Sequence, residues 1–216
     1  MQEFINSIIA HLNSSINEFG SASIVTCGGS SPINIFKQLS LRDDIDWSNV
    51  NLTLLDDRKV SIDHPDSNEK LLIYHFAKNY AQIINIVSLC NIPNKVLEIK
   101  RPFDIMLIGL GGDGHFASLF PELVDNKECF DVDANPEILF LGEMGDPKHE
   151  RVSMNLSLIL QSKKIVLISS SDQKNKIIEQ AFTDKALPLY YLLNQNIVEI
   201  DIYDLVNSKP LYFQGS

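Results

Sequence analysis

What most constrains this chain is a series of short segments rich in Ile, Leu and Val alternating with stretches of helical spacing. The apolar runs fall at 23–27, 50–55, 104–108, 138–141, 164–169 and 197–202. A strand that is apolar at every position has to be covered on both faces, which is the situation of a parallel sheet flanked by helices. Between the runs, Phe4, Ile5, Ile8, Ile9, Leu12 and Ile16 line one helical face ahead of Gly20, and Ile35, Phe36 and Leu39 line another. Further helices are expected at 68–80, 154–160, 172–182 and 187–193, with a helical turn beginning near His115. The expected fold class is α/β: a single doubly wound, mainly parallel sheet with helices on both faces, Rossmann-like in its layering. The stretches 91–102 and 124–136 read as surface connections within that one domain.

Of the 216 residues, 1–210 are expected to form the domain, and a 44% hydrophobic content is enough to build its core. Residues 211–216 (LYFQGS) resemble the remnant of a protease-cleavage tag and are left out of the fold. The formal net charge of -10, from 28 acidic and 18 basic residues, excludes a broad nucleic-acid face, which needs a basic surface. An anionic ligand must then be held by a few local cations. No apolar stretch reaches the roughly 18 residues of a membrane span, and the opening MQEFINSIIAHLNSS lacks the basic segment and cleavage site of a leader. A cytoplasmic protein with no membrane partner, monomeric or a small homo-oligomer, is expected. Cys27, Cys90 and Cys129 are odd in number, far apart and without metal-ligand spacing, which predicts free thiols and no structural zinc.

In a doubly wound sheet, ligands bind beyond the carboxyl ends of the strands, so the loops that follow the runs carry the chemistry. Gly28, Gly29, Ser30, Ser31 and Pro32 combine permissive backbone, two hydroxyls and a helix start, which suits a phosphate. A plain strand-to-helix turn with Pro at the first helical position accounts for the same residues. The segment from Gly109 to Gly114 has the G-x-G-x-x-G spacing of a dinucleotide site. Against that use, Asp131 and Asp133 lie in an irregular stretch, where such a site needs an acid ending a second strand, and Asp113 and His115 would crowd a pyrophosphate. An Asp-x-His pair suits proton transfer, the carboxylate setting the tautomer and orientation of a general base. For Asp56, Asp57 and Arg58, taken alone, a solvated acidic turn is the simpler account. Arg151, expected just before a helix, and Lys174, in the first turn of another, read alone as ordinary surface charge. His11 and His75 fall inside helices, and His64 and His149, outside any spacing such as H-x-x-x-H, read as parts of polar turns.

Taken jointly, these segments resemble one family. Gly28-Gly29-Ser30-Ser31-Pro32 is similar to its GGSTP-type phosphosugar loop, Asp56-Asp57-Arg58 to its DER motif, and Ser67-Asn68 to the SN pair that follows. Residues 103–121, FDIMLIGLGGDGHFASLFP, look like the signature segment of 6-phosphogluconolactonases. Arg151-Val152-Ser153 stands where that family has an R-I-T-like triplet, and Lys174 resembles its later lysine. Asp57 replaces the family's usual Glu, and Ser31 its Thr. The resemblance spans nearly the whole chain and implies the fold shared with glucosamine-6-phosphate and ribose-5-phosphate isomerases. It implies hydrolysis of 6-phospho-D-glucono-1,5-lactone in the oxidative pentose phosphate pathway, with a small phosphosugar lactone as partner and no metal or organic cofactor. The implied roles are His115 as base, Asp113 orienting it, Arg151 and Lys174 on the phosphate beside Gly28, Gly29, Ser30 and Ser31, and Arg58 on the substrate. The sister isomerase/deaminase family shares the GGS-P loop and the DGH segment but continues toward A-F-N-E-P and carries D-E-Y. Ala117-Ser118-Leu119-Phe120-Pro121 and Arg58 favour the lactonase. A third reading is a binding-only phosphosugar sensor, a class that generally carries a DNA-binding module, and no basic helix-turn-helix segment is evident here.

Overall fold

The computed structural model describes residues 1–213. Helix α1 (Gln2–Phe19) buries Ile5, Ile8, Ile9 and Leu12 on one stripe and ends at Gly20. In chain order follow β1 (Ala22–Thr26), α2 (Ile33–Ser40), β2 (Val50–Leu54), β3 (Asp56–Arg58), α3 (Asn68–His75), β4 (Asn85–Ile86), α4 (Pro93–Glu98) and β5 (Ile105–Gly109). The second half contains α5 (Lys127–Phe130), β6 (Ile138–Met144), β7 (His149–Met154), α6 (Leu156–Ile159), β8 (Ile165–Ser169), α7 (Asp172–Ala181), α8 (Pro188–Leu193), β9 (Ile200–Asp204) and β10 (Lys209–Leu211).

Seven strands form the main sheet in the order β10-β9-β8-β5-β1-β2-β4, parallel throughout except for β10. β1 and β8 are buried at every position, in keeping with the consecutive apolar residues at their centres. From β1 the chain steps outward through β2 to β4, then returns to the other side of β1 and steps outward again through β5, β8 and β9. The boundary between β1 and β5 is therefore the switch point at which a doubly wound sheet opens a crevice.

Several local expectations are corrected. The run at 138–141 does not join the main sheet: β6 pairs with β7, and β7 with β3, in a separate antiparallel sheet of order β3-β7-β6. Arg151 consequently lies inside a strand, not ahead of a helix. The helix expected at 154–160 shrinks to α6, because Met154 completes β7 and the Asn155 side chain caps the next turn by accepting the Leu158 N–H at 3.0 Å. No helix starts at His115. Instead the Gly111 N–H donates to the His115 carbonyl at 2.8 Å and closes the loop on itself. The helix expected at 68–80 stops at His75, with a separate 3-10 turn at Asn79–Ile83. The surface connections at 91–102 and 124–136 contain the short helices α4 and α5.

Leu211 pairs with Ile202 in β10, and the Phe213 ring sits 5.6 Å from that of Phe182, so residues read as tag extend the edge of the sheet. The remainder of that segment, 214–216, lies outside the described residues. All three cysteines are free thiols. Among the described residues no helix is long and apolar enough to cross a membrane.

One buried carboxylate ties the two central strands to their surroundings. Asp104, 3% exposed at the entry to β5, accepts from Ser15 Oγ (2.5 Å), Ser23 N–H (2.9 Å) and Ser23 Oγ (3.2 Å), and pairs with Lys163 Nζ at 2.7 Å. Asp104→Asn keeps the size but removes the charge and one acceptor. It is expected to lower the unfolding free energy by about 1–2 kcal/mol, read as a reduced urea midpoint at unchanged m-value. An unchanged midpoint would mean that these bonds only replace those made to water.

Candidate active site

Beyond the carboxyl ends of β1 and β5 lies a cleft of about 260 Å³. Gly28, Gly29, Ser30 and Ser31 line it from the loop after β1, Arg58 from β3, His115 from the loop after β5, Arg151 from β7 and Lys174 from α7. Every site residue expected from the sequence lines this space except Asp113, which stands behind His115. A larger cleft of about 660 Å³ opens at the β9–β10 edge, walled partly by Phe4, Tyr203 and Leu211. It holds neither the imidazole of His115 nor Arg58, Arg151 and Lys174, all of which line the smaller cleft.

His115 is held for one tautomer. Its Nδ1 lies 2.5 Å from Asp113 Oδ1, which also accepts the His115 backbone N–H at 3.2 Å. A proton on Nδ1, shared with the carboxylate, leaves the Nε2 lone pair as acceptor. Burial pushes the Asp113 carboxyl up, but the hydrogen bond and charge of His115 outweigh it and hold the group below the usual carboxylate range. Phe120 packs against the imidazole with ring centroids 4.3 Å apart. On the other side a Cβ on Gly111 would meet His115 Cε1 at 2.2 Å, so only glycine permits this ring position.

The cations crowd one another. Arg58 and Arg151 are direct cross-strand partners in the β3–β7 ladder, an arrangement that like charges destabilise unless an anion lies between them. Arg151, 3% exposed, donates through Nε to the Met144 carbonyl (3.0 Å) and through Nη2 to that of Pro147 (2.9 Å). Burial, then the charge of Arg58, lower its pKa from the ordinary guanidinium value. Arg58 Nη1 donates to the Asp66 carbonyl at 2.7 Å, whereas its Nε is buried with no hydrogen-bond partner among the described residues. Burial also lowers the pKa of Lys174, whose Nζ donates to Ser31 Oγ at 3.4 Å. The Ser31 hydroxyl meets Ser170 Oγ at 3.1 Å and does not cap α2, whose N-cap is Pro32 with no side-chain bond. The loop after β1 is thereby committed to the cleft and not merely to starting a helix.

Asp56 and Asp57 are buried, not solvated. Asp56 lines the cleft and accepts from Ser118 Oγ at 2.7 Å. Asp57 accepts the backbone N–H groups of Arg58 (2.7 Å), Asn68 (2.8 Å) and Glu69 (3.0 Å), fixing the start of α3. The Asn68 side chain in turn presses on Gly28, where a Cβ would come within 2.0 Å of it. Burial pushes the Asp57 pKa from 3.8 up to about 6, against the pull of those backbone donors. Through that window the folded protein keeps a proton that the unfolded chain has released. Stability from this group therefore falls as pH rises from about 4 to about 6, by at most about 1.4 kcal/mol per pH unit, and levels off above. The difference in unfolding free energy between the parent and Asp57→Asn, followed from about pH 4 to pH 7, should show this slope. A flat difference would place the carboxyl in its ordinary range.

Sequence reasoning missed Asn68, Phe120, Asp146 and Cys27 as lining residues. Phe120 and Asn68 sit inside quoted motifs and were within reach, whereas Asp146 arrives through the unforeseen β6–β7 turn. Burial, with a contribution from Asp56, pushes the Cys27 thiol up to about 12.

The family model described as glucosamine-6-phosphate isomerases/6-phosphogluconolactonase matches residues 1–199. The chain belongs to that family. Within it, the chain is 30% identical over 217 residues to a 6-phosphogluconolactonase of Neisseria meningitidis serogroup A, covering 94% of this chain and 93% of that protein. A 6-phosphogluconolactonase of Helicobacter pylori is 28% identical over 206 residues, covering 88% and 87%. The crystal structure of a 6-phosphogluconolactonase from Shewanella baltica superposes with a TM-score of 0.84 at 30% identity, covering 94% of this chain and 91% of that one.

Proposed function

We propose that this chain hydrolyses 6-phospho-D-glucono-1,5-lactone to 6-phosphogluconate, in the cytoplasm, as a step of the oxidative pentose phosphate pathway. The observation that carries the reading is the convergence, in one cleft, of Arg58, Arg151 and Lys174 with an imidazole whose Nε2 is left as base. The names of the relatives support the substrate, and the geometry supports the division of labour.

The lactone phosphate sits among Arg58, Arg151 and Lys174 with the Ser30 and Ser31 hydroxyls. His115 Nε2 takes a proton from water as its oxygen attacks the lactone carbonyl, and Asp113 stabilises the imidazolium formed. The tetrahedral oxyanion then collapses, the ring C–O bond breaks, and the departing ring oxygen takes the proton from His115. Nothing is oxidised and the ester carbonyl is already electrophilic, so positioning, a base and charge stabilisation suffice without a metal or organic cofactor. Phe120 occupies the place of the acidic residue in the sister family's A-F-N-E-P segment and offers His115 an apolar face, which favours the lactonase over the isomerase/deaminase.

Purified protein is expected to open freshly generated lactone well above the spontaneous rate and to release no ammonia from glucosamine 6-phosphate. Ammonia release with no lactone acceleration would move the assignment to the isomerase branch. Phosphosugar binding without either reaction would leave a sensor.

A further inference from the structure

Outside the cleft, two elements that are far apart in sequence bring His64, Asp66 and His149 together. One ligand atom from each residue lies within 4.8 Å of the other two. Asp66 Oδ2 is the hub, 2.8 Å from His149 Nε2 and 3.7 Å from His64 Nδ1. The imidazoles meet edge to face, with centroids 5.4 Å apart and an interplanar angle of 82°. His64 Nδ1 accepts the Asp66 backbone N–H at 3.1 Å, so that nitrogen carries a lone pair, which an ion bound there would take over from the N–H.

We propose that His64, Asp66 and His149 form a binding site for one divalent first-row transition cation of the zinc type. Two neutral imidazoles and a carboxylate are the borderline nitrogen and oxygen donors that such ions select, and three protein ligands leave a position for water. Bond lengths of about 2.0–2.2 Å require the more distant donors to close in. The three side chains are only partly buried and belong to a loop and a strand end, where such closure is easy. Binding replaces the His149 Nε2–Asp66 hydrogen bond, the ring proton residing on Nδ1 so that the Nε2 lone pair faces the ion.

The ion would act on the cleft from behind its wall, because none of the three ligands lines it. Asp66 offers its carbonyl to Arg58, and His149 opens the strand that carries Arg151. The end of β6 and the turn ahead of His149 supply the two carbonyls, of Met144 and Pro147, that hold the Arg151 guanidinium. A cation would clamp the loop after β3 to that hairpin and fix both arginines from outside. The proposal is independent of which sugar phosphate the cleft accepts.

Chelator-stripped protein titrated with Zn²⁺, and separately with Co²⁺, is expected to bind one ion per chain in calorimetry. Its Tm should rise by roughly 5–10 °C at a hundredfold excess of ion over Kd. In imidazole NMR spectra of the unsubstituted protein, Zn²⁺ should move His64 and His149 and leave His11, His75 and His115 in place. His64→Ala and His149→Ala should each abolish saturable binding. Absence of saturable binding, ion-induced movement at His115 in place of His64 and His149, or undiminished binding by His149→Ala would overturn the proposal. Should either variant fail to fold, the spectra of the parent protein decide.

Discussion

His115→Asn is expected to lower kcat by about 10²–10⁴-fold while leaving the fold and the affinity for phosphate nearly unchanged, the usual contribution of a general base. The structure makes this specific to one nitrogen. Nδ1 is committed to Asp113 at 2.5 Å, so only Nε2 can accept a proton from water. Asn approximates the imidazole's polar reach but cannot take that proton at neutral pH. The parent kcat should decline on the acid side as the imidazole becomes protonated, and the variant should lose this limb, after subtraction of the spontaneous rate at each pH. Gly111→Ala offers an independent check, since its Cβ would have to occupy the space of His115 Cε1. It should reproduce much of the kcat loss with every titrating group still present. If His115→Asn keeps nearly full kcat and the same acid limb, the imidazole is not the base and Asp113 becomes the carboxylate to test.

Lys174→Ala and Arg151→Ala should each raise KM for the phosphorylated lactone by about 10–100-fold, with a much smaller fall in kcat, because a charge-assisted bond made equally in ground and transition states contributes to binding alone. The two cations share the phosphate as partner, so their effects should couple, and the double variant should depart from the product of the single effects. Lys174 is the cleaner probe, for Arg151 also holds the Met144 and Pro147 carbonyls, and its loss should loosen the β6–β7 turn. Unphosphorylated gluconolactone supplies the control. It should react poorly with the parent and be nearly indifferent to either change. Equal losses on both lactones would show that these cations do not read the phosphate.

Much of the architecture was legible because burial leaves a periodic trace. β1, β5 and β8 carry consecutive apolar residues at their centres, and a strand covered on both faces has reason to do so. That placed the loops after β1 and β5 at one crevice, and with them the glycines, serines, Asp113 and His115. Other features were not legible, because they depend on which distant segments pair. β3 and the start of β7 are polar triplets with no apolar run, and it is their ladder that sets Arg58 opposite Arg151. The apolar run in β6 resembles a main-sheet strand, and nothing local to it records that its partner is β7.

The sequence alone thus determined the layered fold and the neighbouring placement of Asp113 and His115, since hydrophobic pattern and two-residue spacing are local properties. Only the tertiary structure decided the buried state of Asp56 and Asp57, the convergence of Arg58, Arg151 and Lys174, and the meeting of Asp66 with His149. Each of these is a cross-chain contact, made by strand register and helix placement that no short stretch of the chain specifies by itself.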